Sequence, residues 1–156
     1  SLVLPFIGAD EAKTTDLPSL IANVEQARGI RLMVIEDEDS IRTTIERLFA
    51  SVASSVRSFA SVEEAEPHLE HETFDLVIAD KHLPGKNGDD FIFEQKQLHP
   101  EVRFLLISGD PDANLESFAD TDQVDFMTKP LELNALLKHT RNIQPRAESH
   151  LLAFAR

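Results

Sequence analysis

The chain has 156 residues, 42% of them apolar, with few glycines and no low-complexity tract, which fits one globular domain with attached tails and excludes a disordered chain. Its 28 acidic residues against 15 Lys and Arg give a formal charge of -13, so phosphate backbones and anionic membrane surfaces repel it and direct DNA binding is disfavoured. The absence of cysteine rules out disulfide and thiol chemistry, no apolar run approaches the roughly 20 residues that span a bilayer, and the start lacks the basic stretch of a signal peptide, so the expected location is the cytoplasm.

Residues 1–29 read as a linker. A polar middle, "GADEAKTTD", leads into "DLPSLIANVEQARG", where Asp16 and Pro18 are helix-start signals and Gly29 a stop signal, so a short helix is expected there. Apolar runs then follow at "IRLMVI" (30–35), "SVRSF" (55–59), "FDLVIA" (74–79), "VRFLLI" (102–107) and "VDFM" (124–127). Three of them are nearly continuous in Val, Ile, Leu and Phe, the pattern of strands buried on both faces of a parallel sheet.

Helical spacing fills the gaps. Over 40–50, Ile41, Ile45, Leu48 and Phe49 form one stripe behind Asp39 or Ser40 as N-cap. Ser61 and Glu64 make a capping-box pattern for a helix to about Glu70, which Pro67 should shorten or bend. A third helix spans 89–98 and is stopped by Pro100, and Asp110 before Pro111 starts a fourth. The last begins near Leu131 and repeats apolar residues at Leu133, Leu136, Leu137, Thr140 and Ile143. Strict alternation of strand and helix predicts an α/β domain, a (βα)5 unit with a parallel sheet, helices on both faces and right-handed crossovers. Residues 145–156 form a tail too short for another domain.

In such a sheet ligands gather at the carboxyl ends of the strands. There the sequence places Glu36 and Asp37 after strand 1, Asp80 after strand 3, Ser108 and Gly109 after strand 4, and Lys129 and Pro130 after strand 5. Three carboxylates in one crevice repel by roughly 3 kcal/mol per pair at about 5 Å and an effective dielectric near 20. A hard divalent cation offsets that repulsion, and few protein ligands with several waters suit Mg2+, or Mn2+ in its place, better than Ca2+. A carboxylate, a cation, an ammonium and a hydroxyl together are arranged to receive a phosphoryl group: Asp80 attacks phosphorus, Lys129 and the metal neutralise the equatorial oxygens, Ser108 donates a hydrogen bond and Gly109 leaves room. A Glu-Asp pair alone would be a solvated turn. His68, His71, His99, His139 and His150 have no ligand spacing and read as surface residues.

Taken in order, "VIEDE", "IADKHLPGKNG", "LLISG" and "DFMTKP" resemble the receiver domains of bacterial two-component response regulators, over about Ile30 to Ile143. The resemblance implies a flavodoxin-like doubly wound sheet in strand order 2-1-3-4-5, with the receiver occupying 30–144. It further implies Asp80 as phosphoacceptor, Asp37 as a direct Mg2+ ligand, Glu36 acting on the metal through water, and the main-chain carbonyl of His82 as the third protein ligand. Lys129 matches the family lysine, Pro130 the proline with a cis bond, and Ser108 and Phe126 the hydroxyl and aromatic pair that move on phosphorylation. Phe126 lacks a hydroxyl, so packing alone selects its position. Two departures bear on phosphoryl lifetime: Lys81 and His82 make the rim more basic, and Asp110 lies two residues past Ser108.

The partner implied is a phosphohistidine protein, either a histidine kinase dimerisation domain or a phosphotransfer protein, docking near Ile41 to Leu48. "SLVLPF" is similar to the last strand of a histidine kinase ATP-binding domain, which points to the receiver of a hybrid sensor kinase. A stand-alone or N-terminal receiver is the alternative. An aspartyl phosphatase of the haloacid dehalogenase type would want an acid where His82 stands, and the full set of acids and lysine argues against a degenerate receiver. The chain's own catalysis would be limited to its phosphorylation and dephosphorylation.

Overall fold

The computed structural model describes Leu17, Pro18, Ile21, residues 29–109, residues 122–140 and Ile143. Strands β1 (Arg31–Ile35), β2 (Ser55–Phe59), β3 (Leu76–Asp80), β4 (Arg103–Ser108) and β5 (Val124–Thr128) alternate with helices α1 (Asp39–Phe49), α2 (Val62–His71), α3 (Gly88–Leu98) and α4 (Leu133–Lys138). The helix expected from Asp110, the tail, and most of the leading linker lie outside the described residues. All strand pairs are parallel and run in the order β2-β1-β3-β4-β5, the flavodoxin-like order.

Strand side chains alternate between the two faces of the sheet. Met33, Ile35, Val77, Ala79, Phe104 and Leu106 pack under α2 and α3, against Val62, Ala65, Leu69, Phe91 and Ile92. Their neighbours Leu32, Val34, Leu76, Ile78, Leu105 and Ile107 face the other way, onto Ile45 and Phe49 of α1 and Leu136 and Leu137 of α4. This two-sided burial explains why β1, β3 and β4 read as continuous apolar runs. Each such Leu, Ile or Phe contributes roughly 1.5–3 kcal/mol by leaving water.

The helix starts differ in detail from the sequence reading. Helix α1 begins at Asp39 with Glu38 as N-cap and no capping side-chain bond; neither Asp39 nor Ser40 takes that place, because Glu38 is where the turn leaving β1 is still extended. Helix α2 opens as expected, with Ser61 accepting from the Glu64 amide at 3.3 Å, but the Glu64 carboxylate reaches back to the Ala60 amide. Pro67 does not end α2, which continues to His71. Helix α4 starts two residues later than expected, behind Glu132, whose carboxylate accepts from the Ala135 amide at 2.8 Å.

Register at the amino end of the sheet is pinned by Asp75, which is 1% exposed. Its carboxylate accepts from the Arg31 amide at 2.8 Å, its own amide donates to the Arg31 carbonyl at 2.8 Å, and its carbonyl accepts from the Arg103 amide at 3.1 Å. Asp75→Ala leaves the part-buried Arg31 amide without its charged acceptor, so chemical denaturation should show a loss of about 2 kcal/mol. A change under about 0.5 kcal/mol would mean that the backbone bonds alone hold this register.

Candidate phosphoryl-transfer site

Side by side, the parallel strands bring the chain's strand-end residues to one rim. Asp80, the last residue of β3, is 4% exposed. One of its oxygens accepts from Lys129 Nζ at 2.8 Å and the other from the His82 amide at 3.2 Å. Glu36, immediately after β1, is 2% exposed. Its amide donates to the Phe59 carbonyl at 3.0 Å, and its Oε2 accepts from the Glu38 amide at 3.0 Å. Its Oε1 lies 3.5 Å from Lys129 Nζ, an ion-pair contact, yet is buried with no hydrogen-bond partner. Asp37 is exposed on the same turn, and Glu36, Asp37 and Asp80 each offer an oxygen within 4.8 Å of the others.

The electrostatics follow from that crowding. Burial pushes the Glu36 carboxyl up to about 7; the Asp80 charge adds to the rise, while the Glu38 amide and Lys129 oppose it. Burial acts to lower the pKa of Lys129, but its bond to Asp80 and the charges of Asp80 and Glu36 outweigh this and hold the ammonium above the ordinary lysine value. Three acids served by one ammonium leave negative charge uncompensated. The orphaned Glu36 oxygen and an all-oxygen donor set fit a hard divalent cation.

The other residues singled out in the sequence fall around this centre. Ser108 ends β4, is 5% exposed, and its carbonyl accepts from the Lys129 amide at 2.9 Å. Gly109 is exposed, with nothing described within 4 Å of where a side chain would begin. Phe126 is half-buried on β5, packed against the cluster beneath α2 and α3. The Lys129-Pro130 bond is cis. Lys81 continues the ladder through its amide to the Ile107 carbonyl at 2.7 Å, and the His82 side chain is exposed. Asp110 lies outside the described residues. Beside Lys129, a groove of about 400 Å³ opens between α1 and the β5–α4 turn, lined by Ser40, Ile41, Thr44, Pro130, Leu131 and Leu133.

Two contributors were not singled out in the sequence. Arg42 of α1 donates to the Glu36 carbonyl at 2.7 Å and pairs with Asp39. Gly88, at the start of α3, lies so close to β3 that a Cβ there would stand 2.0 Å from the Asp80 carbonyl oxygen. A glycine at a first helical position, where better helix formers are usual, is visible in the sequence but does not say which strand lies against it.

The site thus joins a buried carboxylate at the end of a central parallel strand to a lysine from another strand end, flanked by two further acids, in an α/β domain of five parallel strands. Residues 32–141 match the response regulator receiver domain, and the chain belongs to that family, the phosphoacceptor modules of two-component signalling. Over 119 residues it is 28% identical to the regulatory protein VanRB of Enterococcus faecalis, covering 76% of this chain and 54% of that protein. Over 108 residues it is 29% identical to the sensor kinase CckA of Brucella abortus, covering 67% of this chain and 11% of the kinase. The chain therefore spans only part of these relatives. Among solved structures, a putative response regulator from Chloroflexus aurantiacus superposes with a TM-score of 0.64 at 26% identity, covering 74% of this chain and 97% of that one. No helix among the described residues is long and apolar enough to cross a membrane.

Proposed function

We propose that Asp80 accepts a phosphoryl group from a phosphohistidine and that the domain relays it in a two-component pathway in the cytoplasm. The observation that carries this reading is the buried Asp80 carboxylate held by Lys129 at 2.8 Å among two further acids. A carboxylate oxygen of Asp80 forms a bond to phosphorus as the N–P bond breaks, and the donor ring, protonated on its other nitrogen, leaves as neutral imidazole with the electron pair. Lys129 and the His82 amide hold the carboxylate in place, and Lys129 lies where charge on the transferring oxygens develops. Ser108, at the adjoining strand end, and the room beside Gly109 serve those same oxygens. Asp37, Asp80 and the His82 carbonyl would hold Mg2+ directly, with Glu36 acting through water. When bound, the cation neutralises acid repulsion and stabilises charge on the phosphoryl oxygens.

The groove beside Lys129 supports docking of a helix that carries the histidine, on a kinase dimerisation domain or a phosphotransfer protein. Ser108 and Phe126 lie on adjacent strands two register positions apart, Ser108 paired with Thr128 and Phe126 with Leu106, an arrangement suited to a switch. We assign residues 1–29 to a linker that begins with the end of a kinase ATP-binding domain, residues 30–144 to the receiver and 145–156 to a tail. "SLVLPF" and the sensor-kinase relative support a hybrid kinase; an ATP-binding domain encoded directly upstream of Ser1 tests that order, and its absence there would favour a stand-alone or N-terminal receiver.

Incubation with acetyl phosphate and magnesium should add the mass of one phosphoryl group to the native chain and none to Asp80→Asn. Lys129→Met should lose most of the gain. Equal gain in Asp80→Asn would place the acceptor elsewhere.

A further inference from the structure

We infer that Arg42 is a positioning residue for the cation site, fixing the turn that presents Asp37. This rests on the proposed metal-binding role of Asp37. The turn leaving β1 must hold an exposed residue, Asp37, with an oxygen within 4.8 Å of two buried carboxylates that repel it. The ladder reaches as far as the Glu36 amide, which donates to the Phe59 carbonyl, but among the described residues no main-chain donor reaches the Glu36 carbonyl, so the ladder does not fix the peptide plane between Glu36 and Asp37. Arg42 supplies that constraint. One arm of its guanidinium donates to the Glu36 carbonyl at 2.7 Å, and the other pairs with Asp39 at the head of α1. Its side chain is 21% exposed, so the group is held rather than waving in solvent. The Glu38 amide fixes the Glu36 carboxylate from the other side. Glu36 is thereby gripped at both its backbone and its side chain, and Asp37 is the next residue along.

Charge and position predict opposite outcomes for this arginine. Removing a positive charge near a cation site by itself favours cation binding. Releasing a supporting bond behind a ligand weakens it, typically by tenfold or more. The sign of the change therefore separates the two roles, and a merely structural role would alter melting without altering affinity.

The test is Mn2+ affinity, read from the free-ion signal by electron paramagnetic resonance well below the melting temperature, on the full chain and three variants. Arg42→Met should bind Mn2+ about tenfold more weakly than the native chain. Arg42→Lys, which keeps the charge but loses the two-armed grip, should stay weaker than native. Asp37→Asn should lose the site. Arg42→Met binding as tightly as native, or tighter, while Asp37→Asn fails to bind would overturn the positioning role and leave the cation site standing. Native affinity in Asp37→Asn would overturn the site reading and the inference with it.

Discussion

Replacing Gly88 with alanine is expected to lower the unfolding free energy by about 3 kcal/mol, although alanine is the better helix former by about 1 kcal/mol. The new Cβ would stand 2.0 Å from the Asp80 carbonyl oxygen, 2.9 Å from its carbon and 3.4 Å from Ala79 Cβ. The obstacle is backbone of β3, a strand paired on both sides with β1 and β4, so it cannot rotate away as a side chain would. The start of α3 must retreat instead, which strains the Gly88 amide bond to the Lys81 carbonyl at 2.9 Å. That bond closes the loop leaving Asp80. The phosphorylation rate should therefore fall as well, since moving a reacting group by about 1 Å can cost as much as a hundredfold. Urea denaturation with an unchanged slope would read the stability loss. Gly109→Ala is the control: with nothing described within 4 Å of a Cβ there, the expected change is within about 0.5 kcal/mol. If Gly88→Ala were equally silent, α3 would have to be free to slide on the sheet.

Gly88 also marks where the sequence stops being legible. The two-sided burial of β1, β3 and β4 could be read directly, because runs such as "FLLI" are too short for a buried helix and alternate with segments of helical spacing. Asp80, Glu36, Asp37 and Lys129 could be placed at one rim once parallel order was assumed, since strand ends in a parallel sheet share an edge. Gly88 and Arg42 could not. Their roles depend on one helix seated against one strand and one side chain folded back six residues, distances that no periodicity encodes. The start of α1 departs from local preference for a similar reason. Asp39 and Ser40 are good N-caps by residue type, but the turn leaves β1 one residue earlier, set by the Glu36 amide reaching Phe59 and the Arg42 amide reaching Glu38. Local preference yielded to the geometry of the site.

The second large effect concerns pH. Between about pH 4.5 and 7 the metal-free protein should lose about 3 kcal/mol of stability through Glu36 alone. Its carboxyl titrates at about 7 in the folded chain against an ordinary 4.5, a gap worth roughly 1.4 kcal/mol per pH unit. The sign follows from proton counting. Within that window the folded state keeps a proton that the unfolded chain has released, so stability falls as pH rises. The contribution is complete below 4.5 and lost above 7. Because Glu36 is only 2% exposed, solvent does little to screen it. The informative quantity is the difference between the native chain and Glu36→Gln, measured by denaturation at several pH values. That difference should shrink with rising pH by about 3 kcal/mol. Magnesium should flatten it, because a divalent cation favours the ionised carboxylate. Asp80→Asn should move the window to lower pH, since it removes the neighbouring charge that raises Glu36 and frees Lys129 for it. Parallel curves for native and Glu36→Gln would mean that burial does not hold a proton on Glu36, and that the acids at this rim relieve their repulsion in another way.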